Sequence, residues 1–148
     1  MLRVSQVNAA LGIEILLKSF LALPDSNHEK VNDTYKVQGK RIRDAWTALK
    51  EAGNVPDDQE RADYHDLLTL YHAIPAEVRK AAGLAVHEEW LERYRYTFTK
   101  SRYSYETGAR RGHDSTLTDI GGELVDSVVQ YAKRAGSTDP WITAYPDA

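Results

Sequence analysis

The chain has 148 residues, of which 42% are hydrophobic and 28% are charged, and its formal net charge at pH 7 is -3. This composition is typical of a soluble globular protein and argues against disordered and fibrous chains. A chain of this length can bury most of the surface that its unfolded form exposes, so we expect one domain spanning residues 1–148. The sequence contains no cysteine. This excludes disulfides and thiolate metal sites, and it favours a cytoplasmic protein.

The first predicted element is an apolar helix that starts at Ser5 or Asn8 and ends at Leu23, before Pro24. A proline disfavours the helical conformation of the residue that precedes it. The apolar run is shorter than the roughly 20 residues that a bilayer requires, two charges interrupt it, and no small-residue cleavage pattern follows it. We therefore predict a helix of the core and no membrane segment.

A polar loop over 24–34 is predicted to lead into a second helix, which starts at Tyr35 or Val37, ends at Glu51 and is stopped by Gly53. Glycine stops a helix readily because it adopts the left-handed conformation without steric cost. The apolar stripe of this helix is thin. We therefore expect the second helix at the periphery of the fold.

A third helix is predicted to start at Asp57 or Asp58 and to end before Pro75. Either carboxylate can accept hydrogen bonds from the free amides of a first helical turn. Pro75 is well placed to open a short helix over 76–82, which Gly83 closes.

Two longer helices are predicted in the second half of the chain. The fourth runs from Leu84 to about Thr107, and the fifth runs from Asp114 or Ser115 to Lys133 or Arg134. Basic residues at the end of the fifth helix complement the negative end of the helix dipole.

The tail 137–148 contains Trp141 and Tyr145 and is expected to pack back on the body of the protein. No stretch alternates in the pattern of a β-strand. We therefore predict an all-α fold, an antiparallel up-and-down helical bundle of four to five main helices plus short helices.

The net charge conceals two stretches of opposite sign. Residues 51–66 carry six acidic side chains against Arg61 alone, and residues 93–113 carry six basic side chains against Glu106 alone. Such patches can steer a charged ligand, or they can pair with each other across a dimer. The sequence does not choose between these two interpretations.

Three stretches share a pattern of short motifs. Residues 8–21 carry a Glu and a Lys four positions apart, residues 65–75 open with His-Asp-Leu, and residues 98–106 end with Arg-Tyr-Ser-Tyr-Glu. Together they resemble HEPN-type domains. The resemblance implies an α-helical bundle that commonly dimerises. It also implies a place among the nucleotide-associated and RNA-cleaving proteins of toxin and defence systems, which include members without known catalysis.

The ribonuclease members of that family use an Arg that is followed after four to six residues by a His. Here three residues separate Arg61 from His65, and seven separate Arg79 from His87, so the motif is not intact. Arg61 and His65 are nevertheless four positions apart and would share one face of the predicted third helix.

An Arg and a His on one face could cleave RNA. The His would take the proton of the ribose hydroxyl, and the Arg would steady the charge that develops on the phosphate. In the alternative interpretation, His65 caps or hydrogen-bonds a neighbouring helix, and Arg61 offsets the surrounding acids.

A polar network is predicted from the spacing of charges. Glu14 and Lys18 are four positions apart, as are Arg102 and Glu106. The first helix is too apolar to leave its charges wholly in water, and a buried charge requires a partner. We expect these four side chains to meet His65 in one network that could also bind a ligand. The alternative is two surface pairs that contribute little to stability.

Cations and aromatic rings alternate in the predicted fourth helix. Helical spacing directs Tyr94, Phe98 and Tyr105 toward the core, which leaves the cations to meet phosphates or a protein partner. The candidate surface consists of Arg93, Arg95, Lys100, Arg110 and Arg111.

No metal site or cofactor is predicted. His65 and His72 share a face in the predicted third helix, but seven positions separate them by about 10 Å along the axis, which is too far for one ion. No Glu-x-x-His pair of the kind found in carboxylate-bridged helical bundles is present.

The leading functional prediction is a nucleotide- or RNA-associated HEPN-like domain of a defence, toxin-antitoxin or mobile-element system, acting as a homodimer. One alternative is a non-catalytic helical module for protein interaction or dimerisation. The other is a metal-independent ribonuclease that uses His65 and Arg61.

Overall fold

The computed structural model describes residues 2–25, 34–101 and 115–147. These residues are mostly helical, so the predicted all-α class is confirmed. A 3-10 turn lies at Leu84–His87, and two short strands, β1 (Ala22–Pro24) and β2 (Tyr35–Val37), pair with each other. The α-helices are α1 (Leu2–Ser19), α2 (Gly39–Glu51), α3 (Leu67–Ala73), α4 (Ala76–Ala81), α5 (Glu88–Arg93), α6 (Thr97–Ser101), α7 (Thr116–Arg134) and α8 (Pro140–Ala144).

Helix α1 is central to the fold and packs against α3, α6 and α7. Apolar residues at helical spacing direct one face of a helix to the core. On α1 and the turn after it, the buried side chains with this spacing are Ala10, Ile13, Leu17 and Leu21. On α7 they are Leu117, Ile120 and Leu124. Glu14 lies four positions after Ala10 and three before Leu17, so the same face carries a carboxylate into the interior.

The strand pair corrects two predictions at the end of the first helix. Helix α1 ends at Ser19 rather than at Leu23, and β1 pairs antiparallel with β2, with Leu23 opposite Lys36. The second helix accordingly starts at Gly39 rather than at Tyr35 or Val37. The prediction of no strands was wrong because segments of three residues are too short to show an alternating pattern.

The third helix is shorter than predicted. Residues 52–66 form turns and irregular structure, and α3 starts at Leu67, so the predicted start at Asp57 or Asp58 is wrong. Asp66 caps α3, and its carboxylate accepts a hydrogen bond from Leu68 N at 3.1 Å. Asp57, Asp58 and Asp66 all have a side chain that can cap a helix. Tertiary contacts decide which of them is used.

The fourth helix is broken into pieces. A 3-10 turn leads into α5, and a turn at residues 94–96 separates α5 from α6. The carbonyl oxygen of Arg95 accepts a hydrogen bond from Leu67 N at 3.1 Å, at the start of α3. This hydrogen bond to α3 lies at the turn that separates α5 from α6. The predicted part of this helix after Ser101 lies outside the described residues.

Other helix ends agree with the predictions. Helix α4 and helix α7 lie where the proline and glycine signals predicted them, within one or two residues. The predicted stops Gly53 and Gly83 have φ values of 77° and 71°, and Gly136, which follows α7, has a φ value of 82°. These values lie in the left-handed region, which glycine adopts without steric cost.

The tail packs against α7, as predicted. Helix α8 contacts α7, and Lys133 Nζ donates a hydrogen bond to the Asp147 carboxylate at 2.7 Å. Tyr145 donates its hydroxyl hydrogen to Asp126 on α7. Among residues 2–25, 34–101 and 115–147, no helix is both long and apolar enough to cross a bilayer.

Candidate functional site

Glu14, Lys18 and His65, which we term the His65 cluster, form a chain of polar contacts. Glu14 is only 3% exposed, and Lys18 Nζ, one helical turn further along α1, lies 2.6 Å from Glu14 Oε1. His65 Nδ1 lies 3.0 Å from Glu14 Oε1 and 2.9 Å from Oε2. The structure therefore brings together three of the five residues of the predicted network. Arg102 and Glu106 lie outside the described residues.

The imidazole of His65 is held on two further sides. The backbone N–H of His65 donates to Asp63 Oδ1 at 2.8 Å, which fixes the turn before α3. Its ring stacks on Phe98 of α6, with the ring centroids 4.6 Å apart. The side chain is 39% exposed. His65 is thus an oriented imidazole that solvent can reach.

The contact with Glu14 determines which nitrogen of His65 can accept a proton. A carboxylate only accepts hydrogen bonds, so Nδ1 of a neutral His65 carries the hydrogen that faces Glu14. The lone pair then resides on Nε2. The geometry provides a potential general base whose orientation comes from α1.

Arg61 is not placed as predicted. It lies in a bend at an exposed position, and His65 lies in a turn, so the predicted shared helix face is wrong. The helix begins only at Leu67, because Asp66 caps it there. The alternative interpretation, in which His65 hydrogen-bonds a neighbouring helix, matches the contact between His65 and Glu14 on α1.

Arg95 was assigned to an exposed basic surface, and this assignment is wrong. Its Nε and Nη2 atoms donate to Asp66 Oδ1 at 3.0 Å and Oδ2 at 2.6 Å, and its Nη1 donates to Asn54 O at 2.5 Å. Asp66 is 0% exposed. Burial by itself lowers the pKa of Arg95, but the hydrogen bond and charge of Asp66 outweigh burial, and the pKa is raised.

Two of the predicted cations are exposed. Arg93 lies over the rings of Trp90 and Tyr94, at 5.5 Å and 5.8 Å from their centroids, and Lys100 lies over Tyr96 at 5.1 Å. Each of these two cations therefore contacts an aromatic ring of its own segment, which was not predicted from the sequence. Arg110 and Arg111 lie outside the described residues.

A groove of about 480 Å³, which we term the His65 groove, lies beside the cluster. Asp63 and Thr99 line it, and Thr99 Oγ1 donates to Asp63 Oδ2 at 3.0 Å. Asp63 also holds the backbone of His65, so the groove and the cluster are adjacent. The other lining residues are Pro56, Asp58, Gln59, Arg61, Ala62, Tyr96 and Lys100.

Tyr96 forms an aromatic wall of the His65 groove. Its hydroxyl donates to Gln59 Oε1 at 3.1 Å. Burial, followed by the charge of Asp66, raises the pKa of Tyr96. The phenol therefore remains neutral at physiological pH and presents a ring to the groove.

A second polar cluster, which was not predicted from the sequence, joins α3, α4 and α5. Glu88 accepts a hydrogen bond from the Tyr71 hydroxyl at 3.0 Å and lies 3.1 Å from His72 Nε2. Arg79 Nη1 lies 3.4 Å from His72 Nδ1, and the guanidinium lies over the Tyr71 ring. These residues lie on three different helices within residues 71–88. Their types alone carry no signal that they meet.

His65 and His72 were expected to be too far apart to bind one metal ion. In the structure they contact different carboxylates, Glu14 and Glu88. Within the part of the chain that the structure describes, no group of three or more His, Asp or Glu side chains is placed to hold a metal ion.

No protein-family model, curated protein or solved structure matches this chain significantly. The HEPN resemblance therefore stays a prediction that rests on the short motifs.

Proposed function

We propose that this chain is a HEPN-like helical domain that binds single-stranded RNA in the His65 groove, in a defence, toxin-antitoxin or mobile-element system. One observation carries the proposal. The three stretches that carry the family resemblance contribute contacting residues to one site around His65, and Asp63 connects this site to the groove. Glu14 comes from the first stretch, His65 from the second and Phe98 from the third.

The chemistry of the groove supports RNA as the ligand. Arg61 and Lys100 can each neutralise a phosphate, and the ring of Tyr96 can stack on a base. Asp58 and Asp63 line the same groove, and the carboxylate of Asp63 accepts hydrogen bonds from Thr99 Oγ1 and from the backbone N–H of His65. If these two cations carry the electrostatics, the logarithm of the binding constant falls with that of salt with a slope of about -1.4.

Fluorescence anisotropy with a labelled single-stranded RNA over a series of salt concentrations tests the proposal. The variant Lys100→Gln should weaken binding and reduce the salt slope. The matched control Lys80→Gln removes the same charge from an exposed site on α4, outside the groove, and should bind like the wild type. A wild-type affinity that does not change with salt would contradict the proposal.

A second candidate function is RNA cleavage with His65 as the base. The contact between Glu14 and His65 Nδ1 favours it, because this contact leaves the lone pair on Nε2. Incubation of total RNA with the wild type, His65→Ala and Arg61→Gln tests this candidate. Cleavage that both variants lose supports the enzyme. Intact RNA after incubation with the wild type leaves the binding role.

A third candidate is a homodimerisation module. The apolar side chains of Leu11 and Ile15 on α1, and of Leu23 and Tyr35 on the strand pair, are 37–60% exposed. Ile15 and Tyr35 border a cavity of about 380 Å³, and among the described residues that line it the one charged side chain, Lys18, is paired with Glu14. Such a face can meet its own copy about a twofold axis without charge repulsion.

Light scattering coupled to size-exclusion chromatography tests this third candidate. A dimer that Ile15→Lys converts to a monomer would support it. A wild-type monomer at high concentration would exclude it. Neither outcome affects the test of RNA binding, which uses different residues.

A further inference from the structure

A second cavity, which we term the α2 cavity, lies between the outer face of α2 and residues 60–64. It has a volume of about 400 Å³, which falls in the range of small-ligand sites. Arg61 and Ala62 line both this cavity and the His65 groove, so the two lie on either side of one short segment. A strand bound in the groove therefore passes close to the cavity.

The packing of α2 explains how the cavity forms. Ile42 and Leu49 turn inward and are buried, whereas Arg43 and Trp46, which are three positions apart, share an outer face. Tyr64 closes the other side. Its hydroxyl accepts a hydrogen bond from Arg43 Nη1 at 3.0 Å and donates one to Gly39 O at 3.4 Å.

The walls of the cavity combine rings with cations. Trp46 and Tyr64 provide aromatic surface, and Arg43 and Arg61 provide two guanidinium groups. An unstacked base binds well between such rings, and a guanidinium suits a phosphate because it donates two parallel hydrogen bonds. Rings and cations together match one nucleotide.

In the described part of the chain, Glu60 is the one acidic residue that lines the α2 cavity. A carboxylate accepts hydrogen bonds and donates none, so it suits a base that presents adjacent N–H groups. Guanine presents an N1–H and an N2 amino group on its pairing edge. Uracil presents a single N–H between two carbonyl oxygens and matches a carboxylate poorly.

We infer that the α2 cavity binds one unstacked nucleotide of the RNA strand, with a preference for guanine. The base lies against Trp46 and Tyr64 with its pairing edge at Glu60, and the phosphate lies at Arg43 and Arg61. This inference rests on the proposed function and adds sequence preference to it.

Short oligouridine RNAs test the inference directly, one with a single central guanosine, one with a single adenosine and one with neither. Each is titrated against the wild type by fluorescence anisotropy at fixed salt. A good bidentate contact to a base discriminates by roughly 1–3 kcal/mol, so we expect the guanosine RNA to bind about tenfold more tightly than oligouridine. Equal affinity for all three would overturn the inference and leave the RNA-binding proposal in place.

Single substitutions locate the site of discrimination. Glu60→Gln should remove most of the preference for guanosine, because Glu60 contacts the base. Arg43→Gln loses a phosphate contact and should weaken binding of the guanosine RNA. Arg41→Gln removes the same charge from the same helix outside the cavity, where Arg41 contacts Gln38, and should bind like the wild type. A preference that Glu60→Gln retains, or equal losses of affinity in Arg41→Gln and Arg43→Gln, would contradict the inference.

Guanosine monophosphate separates failure of this site from failure of RNA binding. It should quench tryptophan fluorescence in the wild type, but not in Trp46→Phe, which keeps an aromatic wall. Guanosine and inorganic phosphate alone should each bind more weakly than the intact nucleotide. If no RNA binds, the proposed function fails, and the titration with guanosine monophosphate alone shows whether the α2 cavity binds a nucleotide. No quenching at millimolar nucleotide would by itself overturn the inference.

Discussion

Arg95 Nη2 and Asp66 Oδ2 lie 2.6 Å apart in an ion pair that is almost wholly removed from solvent. The pair joins the start of α3 to the turn between α5 and α6. Arg95 also donates to Asn54 O, so one guanidinium connects three segments that are distant in sequence. Because Asp66 holds both the guanidinium and the first turn of α3, the position of His65 next to it depends on this pair.

Replacing Arg95 with Met should therefore destabilise the protein strongly. Removal of one partner leaves the buried carboxylate of Asp66 without its counter-charge, which costs about 3 kcal/mol or more. The free energy of unfolding from urea denaturation measures this loss. Arg93→Met is the matched control, because Arg93 is exposed two positions away, and it should change stability by less than about 0.5 kcal/mol. Equal effects of the two substitutions would contradict this account.

The helix start at Asp66 shows what local chemistry does and does not predict. Asp57, Asp58 and Asp66 all have the side chain of a cap. The sequence does offer a signal for Asp66, because an apolar run starts directly after it. Its selection depends on Arg95, 29 positions later, and no local pattern contains that contact.

The same pair explains the error at Arg95. Arginine is rarely buried, so its charge favours a surface position unless a partner is known. In contrast, Gly53 and Gly83 end helices through their own backbone freedom, and both ends were predicted correctly. Glu14 is intermediate. Its burial followed from the apolar face of α1, and its meeting with His65, 51 positions away, was predicted, but which nitrogen of His65 faces the carboxylate required the fold.

Glu14→Gln should destabilise the fold by about 2 kcal/mol. The substitution keeps the shape of the side chain but removes the charge that Lys18 and His65 contact, and hydrogen bonds to charged groups are worth roughly 1.5–3 kcal/mol. Asp44→Asn offers a close control. Asp44 and Lys40 form an ion pair of the same spacing and the same 2.6 Å distance, but both are exposed.

The control substitution Asp44→Asn should lower the free energy of unfolding by less than about 0.5 kcal/mol, because water screens an exposed ion pair. Urea denaturation at low and high salt compares the two variants, and only Asp44→Asn should lose its small effect at high salt. A result in which Glu14→Gln is as mild as Asp44→Asn would show that the His65 cluster does not stabilise the fold.

The stability of the protein should depend on the protonation of His87. This side chain is 4% exposed, and its pKa is lowered, chiefly by burial, while Glu123 at 3.8 Å opposes the shift. The unfolded chain therefore takes up this proton at a higher pH than the folded chain does. The stability that neutral His87 gives to the folded protein is fully present above the ordinary His pKa of about 6.5. It is lost as the pH falls toward the lowered pKa of His87 in the folded protein.

Melting temperatures between pH 7.5 and pH 5 measure this effect. His87→Gln should flatten the decrease on acidification, although His72, whose pKa is also lowered, chiefly by burial and then by Arg79, retains part of it. Glu123→Gln should have the opposite effect. It removes the charge that raises the pKa of His87, so the profile should become steeper. A profile that neither variant changes would contradict the assignment.

Two glycines should respond to alanine with opposite signs. Gly122 lies inside α7, and a Cβ added to it meets no atom of the described residues within 4 Å. Alanine there should stabilise the protein by about 0.5–1 kcal/mol, because it restricts the unfolded chain and favours the helix. Gly53 also has open space around it, but its φ is 77°. Alanine in the left-handed region costs about 1–2 kcal/mol. Urea denaturation gives the free energy of unfolding of the two variants. Because both sites have room for a Cβ, a difference in sign between the two changes is caused by the backbone conformation. If both substitutions stabilise the protein, the left-handed helix stop at Gly53 does not hold in solution.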